Sequence, residues 1–314
     1  MLNKFKIFAY KKKRRLYNFY NRYLQEIFFE NNLNNLYYGH YDILKKYSKK
    51  LLPYKVNGEI QHGWSPLSGI AGEGLHDPSY KDNRFYVFNE RNQQESKDLG
   101  YYNVIPIGAP YIYLPNLTEG LENYSKNSII FFPSHSHEWA SFEKPIEIFQ
   151  NYIRSIKKIS SHFKNICVSL GWNEFQNNEL RGLFDKELIE TITMGPRDGN
   201  PNFLFNFVTI AKKFEYVSSD IFSSAIFYSL LINRKAFVYG ESLSNQMRYV
   251  FGFEDPNERQ IKDYSKIYPE IIWENFEDKR YPEIAAKELG LGNKRSPLEI
   301  RELFGWNITS KLNS

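Results

Sequence analysis

The chain has 314 residues, enough for two domains of ordinary size, and its 42% apolar content can fill a core in each. A single cysteine, Cys167, excludes a disulfide framework and a cysteine-based zinc site, and it fits a reducing compartment. The formal net charge of +5 is mild, and no run of about 18 apolar residues predicts a membrane span.

Much of the positive charge is concentrated in Lys4, Lys6, Lys11, Lys12, Lys13, Arg14 and Arg15. Phe5, Phe8, Tyr10, Leu16, Tyr17, Phe19 and Tyr20 interleave with these charges. No continuous apolar stretch follows, so a secretory signal is not expected. Two readings of residues 1–20 stay open. One is a helix lying on an anionic membrane surface. The other is a solvated first helix with one core-facing stripe. The basic residues do not continue into a nucleic-acid reader module, so no nucleic-acid partner is expected. The expected location is the cytoplasm, with or without a peripheral hold on the inner face of the membrane.

The first forty residues read as one or two helices ending near Asn31-Asn32 and Asn34-Asn35. A short strand over 59–61 runs into the loop 62–66, and 67–82 reads as a loop rich in glycine and polar residues. Residues 84–88 read as a buried strand. Residues 89–99 read as a polar helix, with Asn89 as its N-cap and Gly100 just past its end. The next strand is 103–107, closed by Gly108. Turn residues and the absence of an apolar run over 115–127 mark a linker, so the chain divides into 1–120 and 121–314.

From Ser128 the alternation is regular. Strands are expected at 128–132, 166–170, 190–194, 215–218 and 236–240. Helices are expected at 145–159, 173–184, 202–214 and 221–232. This alternation predicts parallel βαβ units in an α/β fold. The expected architecture is two Rossmann-like domains facing a central cleft, preceded by a basic helical segment. Ligands of open parallel sheets bind beyond the carboxyl ends of the strands, so the residues just after each strand are the candidates for chemistry.

Those positions hold His62, the run Ser134-His135-Ser136-His137-Glu138, Gly171-Trp172, Arg197, Ser218 to Asp220, and Glu241. Of the chain's six histidines, three fall in this small set. The clearest segment is Ser218-Ser219-Asp220-Ile221-Phe222-Ser223-Ser224, where a strand ends and a helix opens. Free N–H groups and the helix dipole make such a start an anion site, and the Ser223 and Ser224 hydroxyls add donors. The plain alternative is that Asp220 or Ser219 caps the helix.

The stretch from Phe214 to Gly240 resembles the donor-binding stretch of GT-B glycosyltransferases. It is most similar to that of the CDP-glycerol glycerophosphotransferase and capsular polysaccharide transferase group. Ile60-Gln61-His62-Gly63-Trp64 resembles the Trp-His-Gly turn of the glycerophosphotransferases, whose histidine is catalytic. Ile107-Gly108-Ala109-Pro110 and Phe131-Phe132-Pro133-Ser134 resemble the strand endings on either side of their interdomain linker. The likeness covers roughly residues 58–240. Trp64 follows the glycine here instead of preceding the histidine, and Ser-His-Ser-His stands in place of a Thr-Trp-Arg type sequence. These departures favour a sugar over glycerol phosphate.

The resemblance implies an acceptor-side domain over 1–120 and a nucleotide-donor domain over 121–314. His62 then serves as the general base for an acceptor hydroxyl, since imidazole titrates near neutrality. Glu73 and Asp77 are candidates to orient or replace it. The donor nucleotide would meet His135, His137, Arg197, Ser218, Asp220, Ser223, Ser224 and Glu241. A protonated histidine offsets charge developing on the leaving phosphate, and Arg197 suits a bidentate phosphate contact. His135, His137 and Glu138 compose a metal-like set, but their spacing matches no zinc motif.

No Asp-x-Asp occurs, which disfavours the metal-dependent single-domain transferases. No P-loop, dinucleotide-binding glycine fingerprint or nucleophile elbow is present. The sequence therefore predicts metal-independent glycosyl transfer from a nucleotide-sugar, with no bound cofactor, to a glycan or glycolipid of a capsule or lipopolysaccharide. The alternatives are a CDP-polyol phosphotransferase and a non-catalytic module that binds glycan or nucleotide.

Overall fold

The computed structural model describes residues 30–50, 54–70, 81–137, 140–249 and 264–306. The basic segment 1–20 and the candidates Glu73, Asp77 and Glu138 lie outside these residues.

The first unit opens with the short helix α1 (Leu33–Leu36) and the longer α2 (His40–Tyr47). Asn32 starts this helix, and any helix expected before it lies outside the described residues. The Asn32 side chain accepts the Asn34 N–H at 3.0 Å, the capping geometry for which asparagine is favoured. Strands β1 (Glu59–Ile60), β2 (Phe85–Val87) and β3 (Val104–Pro106) form a parallel sheet in that order. Between β2 and β3 runs α3 (Glu90–Asp98). Asn89 caps it by accepting from Asn92 N–H at 2.9 Å, and Gly100 takes the left-handed conformation beyond its end, as the sequence predicts.

The second unit contains β4 (Ser125–Phe131), β5 (Ala140–Phe142), α4 (Pro145–Ile159), β6 (Asn165–Ser169), α5 (Trp172–Gln176), α6 (Asn178–Lys186), β7 (Glu190–Ile192), α7 (Phe203–Ala211), β8 (Phe214–Ser219), α8 (Ser224–Leu231), β9 (Lys235–Val238) and β10 (Met247–Tyr249). The main sheet is parallel throughout, in the order β7-β6-β4-β8-β9. The strip β5–β10 is antiparallel and separate. Strand β4 begins at Ser125, inside the polar linker. Its first residues are exposed and are recruited by pairing with β8, which hydrophobicity does not signal. The helix expected over 173–184 is broken at Asn177, whose extended backbone lets its side chain cap α6 at Leu180 N–H, 3.1 Å away.

The chain then returns to the first unit. Helix α9 (Pro282–Glu288) packs against α8, and α10 (Pro297–Leu303) lies beside β2. Tyr86 Oη lies within hydrogen-bond distance of the Asn57 carbonyl, at 2.9 Å, and of the Leu303 carbonyl, and its one proton serves both. Trp306 Nε1 donates to the Lys55 carbonyl at 3.1 Å. One continuous core joins the units, running from Tyr41, Tyr86 and Trp306 through Tyr111 to Ile226 and Phe227 of α8. Helix α8 is apolar on nearly every face because both units cover it. Among the described residues no helix is long and apolar enough to cross a membrane.

Strands β6 and β7 lie on one side of β4, and β8 and β9 on the other. The order reverses at β4, so the crevice at the carboxyl ends of β4 and β8 is where an open α/β sheet receives its ligand.

Candidate active site

That crevice is a cleft of about 360 Å³. Its walls come from the loops after β4, β6, β7 and β8, from the start of α8, and from Tyr38 of the first unit. Two buried carboxylates shape the walls. Asp220, just after β8, accepts from Ser134 N–H at 2.6 Å and from Leu243 N–H at 2.7 Å. It ties the loop after β4 to the loop after β9, and burial raises its pKa. Glu174 on α5 accepts from Ser136 N–H at 2.9 Å and from the Ser136 hydroxyl. Its second oxygen, Oε2, is buried without a hydrogen-bond partner. A side chain at Gly171 would meet His135 Cβ and Glu174 Oε2 at 2.5 Å, so glycine lets the 134–137 loop close on α5.

His135 and His137 both line the cleft. The His135 ring donates through Nδ1 to the Ser136 carbonyl at 3.1 Å, which leaves Nε2 as an acceptor or, when protonated, a donor. The His137 backbone exchanges hydrogen bonds with Ala140 at 2.8 and 3.2 Å, anchoring the loop to β5. Among the described residues no cluster of three metal-ligating side chains forms.

Helix α8 starts at the cleft. Ser223 occupies its N-cap with no side-chain capping bond, so the helix start stays open towards the cavity. The Ser223 hydroxyl donates to Ser219 Oγ at 3.3 Å. Ser224 Oγ accepts from Trp64 N–H at 2.9 Å, which joins α8 to the turn after His62. The same turn is held from behind. Trp64 Nε1 donates to Glu288 Oε2 at 2.7 Å, and Glu288 also receives Arg91 at 2.7 Å and Tyr268 Oη at 2.8 Å. Glu288 is only 3% exposed, so this charge is compensated inside the protein.

His62 is half-buried at the junction of the units. Its Nε2 shares a 3.1 Å hydrogen bond with Tyr38 Oη, and the Tyr37 ring meets it edge-on at 4.2 Å. Burial, followed by the positive field of Arg197 and the neighbouring histidines, holds its pKa well below 6.5. The ring is therefore neutral at pH 7. Arg197 lies over the Tyr37 ring at 5.1 Å and pairs with Asp198 at 3.3 Å. Its carbonyl accepts Tyr38 N–H at 2.7 Å, a second bond across the units.

The structure brings His135, His137, Arg197, Ser223 and Ser224 to one cleft. His62 stands just behind its wall. Ser218 is fully buried in β8 and does not line the cavity, Asp220 braces the loops, and Glu241 is exposed away from the lining. Tyr38, Glu174 and Glu288 carry no motif in the sequence. The only local hint was the Tyr37-Tyr38-Gly39-His40 run directly after the predicted asparagine stop.

No family of known sequences and no curated protein matches the chain. Among solved structures it is similar to the wall teichoic acid polymerase TagF, at 13% identity and a TM-score of 0.41, over 77% of this chain and 61% of that one. It is also similar to UDP-GlcNAc 2-epimerase from Neisseria meningitidis bound to UDP-GlcNAc, at 14% identity and a TM-score of 0.33, over 71% and 59% of the two chains. A third is UDP-glucose: anthocyanidin 3-O-glucosyltransferase in complex with UDP, at 11% identity and a TM-score of 0.33, over 89% and 65%. The chain spans about three fifths of the length of the first of these structures. These are distant likenesses, and the arrangement of two parallel α/β units about a cleft is read from the chain's own strand order.

Proposed function

We propose that the chain is a glycosyltransferase that moves a sugar from a nucleotide-sugar to a hydroxyl of a bacterial surface glycan without a divalent ion. One observation carries this reading. An uncapped helix start, Arg197 and two histidines converge at the switch point of a parallel sheet, beside Tyr38 of the opposite unit, which is hydrogen-bonded to a histidine behind the cleft wall.

The donor diphosphate fits the N–H groups at the start of α8, where the helix dipole favours negative charge. The Ser223 and Ser224 hydroxyls, the guanidinium of Arg197 and the imidazoles of His135 and His137 add polar contacts as the phosphate leaves. The acceptor enters from the side of the first unit, where the neutral imidazole of His62 is ready to gain a proton. His62 starts with a low pKa because it is buried and, second, because it lies in a positive field. A bound diphosphate offsets that field, so the base strengthens once the donor is present.

The test is a thermal-shift series with CMP, CDP, UDP, GDP and dTDP. A nucleotide at a hundred times its dissociation constant adds about 2.7 kcal/mol of stability, seen as a rise of several degrees. One nucleotide should stand out, with transfer then assayed from the matching nucleotide-sugars. CDP standing out, with transfer from CDP-polyols alone, would redirect the reading to polyol-phosphate transfer. No shift with any nucleotide would remove the donor site.

A further inference from the structure

An acceptor entering the cleft meets Tyr38 before it meets His62. Tyr38 lines the cavity and His62 does not, and the phenol stands 3.1 Å from His62 Nε2. The backbone at Tyr38 is strained to hold this position. Its φ is +56°, which for a non-glycine residue is unfavourable and persists only where the surroundings enforce it. Here three contacts enforce it. Tyr38 N–H donates to the Arg197 carbonyl at 2.7 Å. The Tyr38 ring packs on Phe203 at 4.9 Å. Gly39, also left-handed, lies so close to Pro201 that a Cβ there would approach the carbonyl oxygen to 2.7 Å. The donor-side loops thus clamp an acceptor-side tyrosine against the base.

We propose that Tyr38 is a catalytic residue that takes the acceptor's proton and passes its own to His62. The proposal rests on the glycosyl-transfer reading. In the step, the acceptor oxygen forms a bond to the anomeric carbon of the donor sugar. The bond from that carbon to the phosphate oxygen breaks, and its electron pair leaves with the nucleotide phosphate (a diphosphate, or the monophosphate for a CMP-sugar). The acceptor proton moves to Tyr38 Oη as the phenol proton moves to His62 Nε2, which produces a neutral tyrosine and an imidazolium. The His62 tautomer required carries its proton on Nδ1, so that Nε2 can accept. A phenol alone, with a pKa of about 10, is half a relay. Paired with an imidazole it transmits the proton without holding charge, as a bridging water does.

The experiment is a double-mutant cycle in the full-length chain with Tyr38→Phe and His62→Ala. Nucleotide release is followed from UDP-, GDP-, dTDP- and CMP-sugars in the presence of bacterial glycan, and nucleotide binding is followed by calorimetry. Phenylalanine keeps the ring contact with Phe203 and the backbone bond to Arg197, so the fold is retained. Tyr38→Phe should lower kcat about a hundredfold, with donor KM and nucleotide affinity within about twofold of the parent. Because the two groups serve one proton transfer, the double variant should be no more than about threefold slower than the slower single one. Normal turnover by Tyr38→Phe overturns the proposal and leaves glycosyl transfer standing. So does a double-variant loss equal to the product of the two single losses, and so does a fall in melting temperature and affinity with kcat preserved. No nucleotide release by the parent protein from any donor overturns glycosyl transfer, and the relay falls with it.

Discussion

His40 opens α2 next to Tyr38, with no exposed surface and neither ring nitrogen hydrogen-bonded. Burial lowers its pKa from 6.5 to about 3. Between those values the unfolded chain binds a proton that the folded chain excludes, so stability falls as pH falls. Above pH 6.5 both states are neutral and the full stability is present. From pH 6.5 down to about pH 5 the loss is about 2 kcal/mol, at about 1.4 kcal/mol per pH unit. His62 is shifted in the same direction and adds to the loss. The His40 share is isolated by comparing the parent with His40→Phe, a swap that keeps a ring in the cavity but cannot titrate. Urea unfolding of both proteins, followed by tryptophan fluorescence near pH 7 and near pH 5, measures it. Most of the His62 contribution is common to both, because burial and Arg197 outrank His40 among the causes of its shift. The variant should lose about 2 kcal/mol less than the parent over this interval. Equal losses would show that His40 is solvated or paired in the folded protein and would refute the reasoning. Because the His40 ring lies 5.7 Å from the Tyr38 ring, acid should also loosen the Tyr38 turn before the rest of the chain unfolds.

Three other outcomes are expected. Binding of a nucleotide-sugar near pH 6 should take up a proton, seen by calorimetry in buffers of different ionisation enthalpy, because the donor's charge raises the depressed pKa of His62. The uptake should vanish in His62→Gln, and uptake unchanged in that variant assigns the proton to another group. Turnover should survive EDTA, and a loss restored by manganese or magnesium would end the metal-independent mechanism. Ser223→Ala combined with Ser224→Ala should weaken nucleotide affinity at least about tenfold, since hydrogen bonds to charged partners contribute about 1.5–3 kcal/mol each. Unchanged affinity would make the start of α8 an ordinary helix terminus.

Residues with local consequences were legible in the chain. Asn89 and Gly100 bracket a helix because a capping side chain and a left-handed residue act within a few positions. Pro145–Ile159 was read to its exact bounds because a proline at the first turn and apolar residues at helical spacing coincide there. The strand-to-helix junction before α8 was found because it has a short, recognisable form, but the helix opens at Ser224 with Ser223 as its N-cap, three residues later than expected. Asp220 shows where this reasoning stops. A carboxylate after a strand reads the same whether it faces a ligand or two backbone N–H groups, and here it holds Ser134 and Leu243, one 86 residues before it and the other 23 after.

The sequence by itself determined the alternation of apolar strands and amphipathic helices, and so the α/β class and the positions at strand ends where chemistry can occur. Periodicity and capping are properties of neighbouring residues, and they survive without knowledge of the fold. The tertiary structure alone decided the strand order that makes β4 the switch point, and the return of α9 and α10 to the first unit. It alone placed the buried Glu288 behind Trp64, 224 residues away in sequence, and Tyr38 between His62 and the cleft. These contacts join residues far apart in the chain. Each partner alone looks like an ordinary surface tyrosine or glutamate, because the free energy that fixes it comes from burial and hydrogen bonds supplied by the other unit.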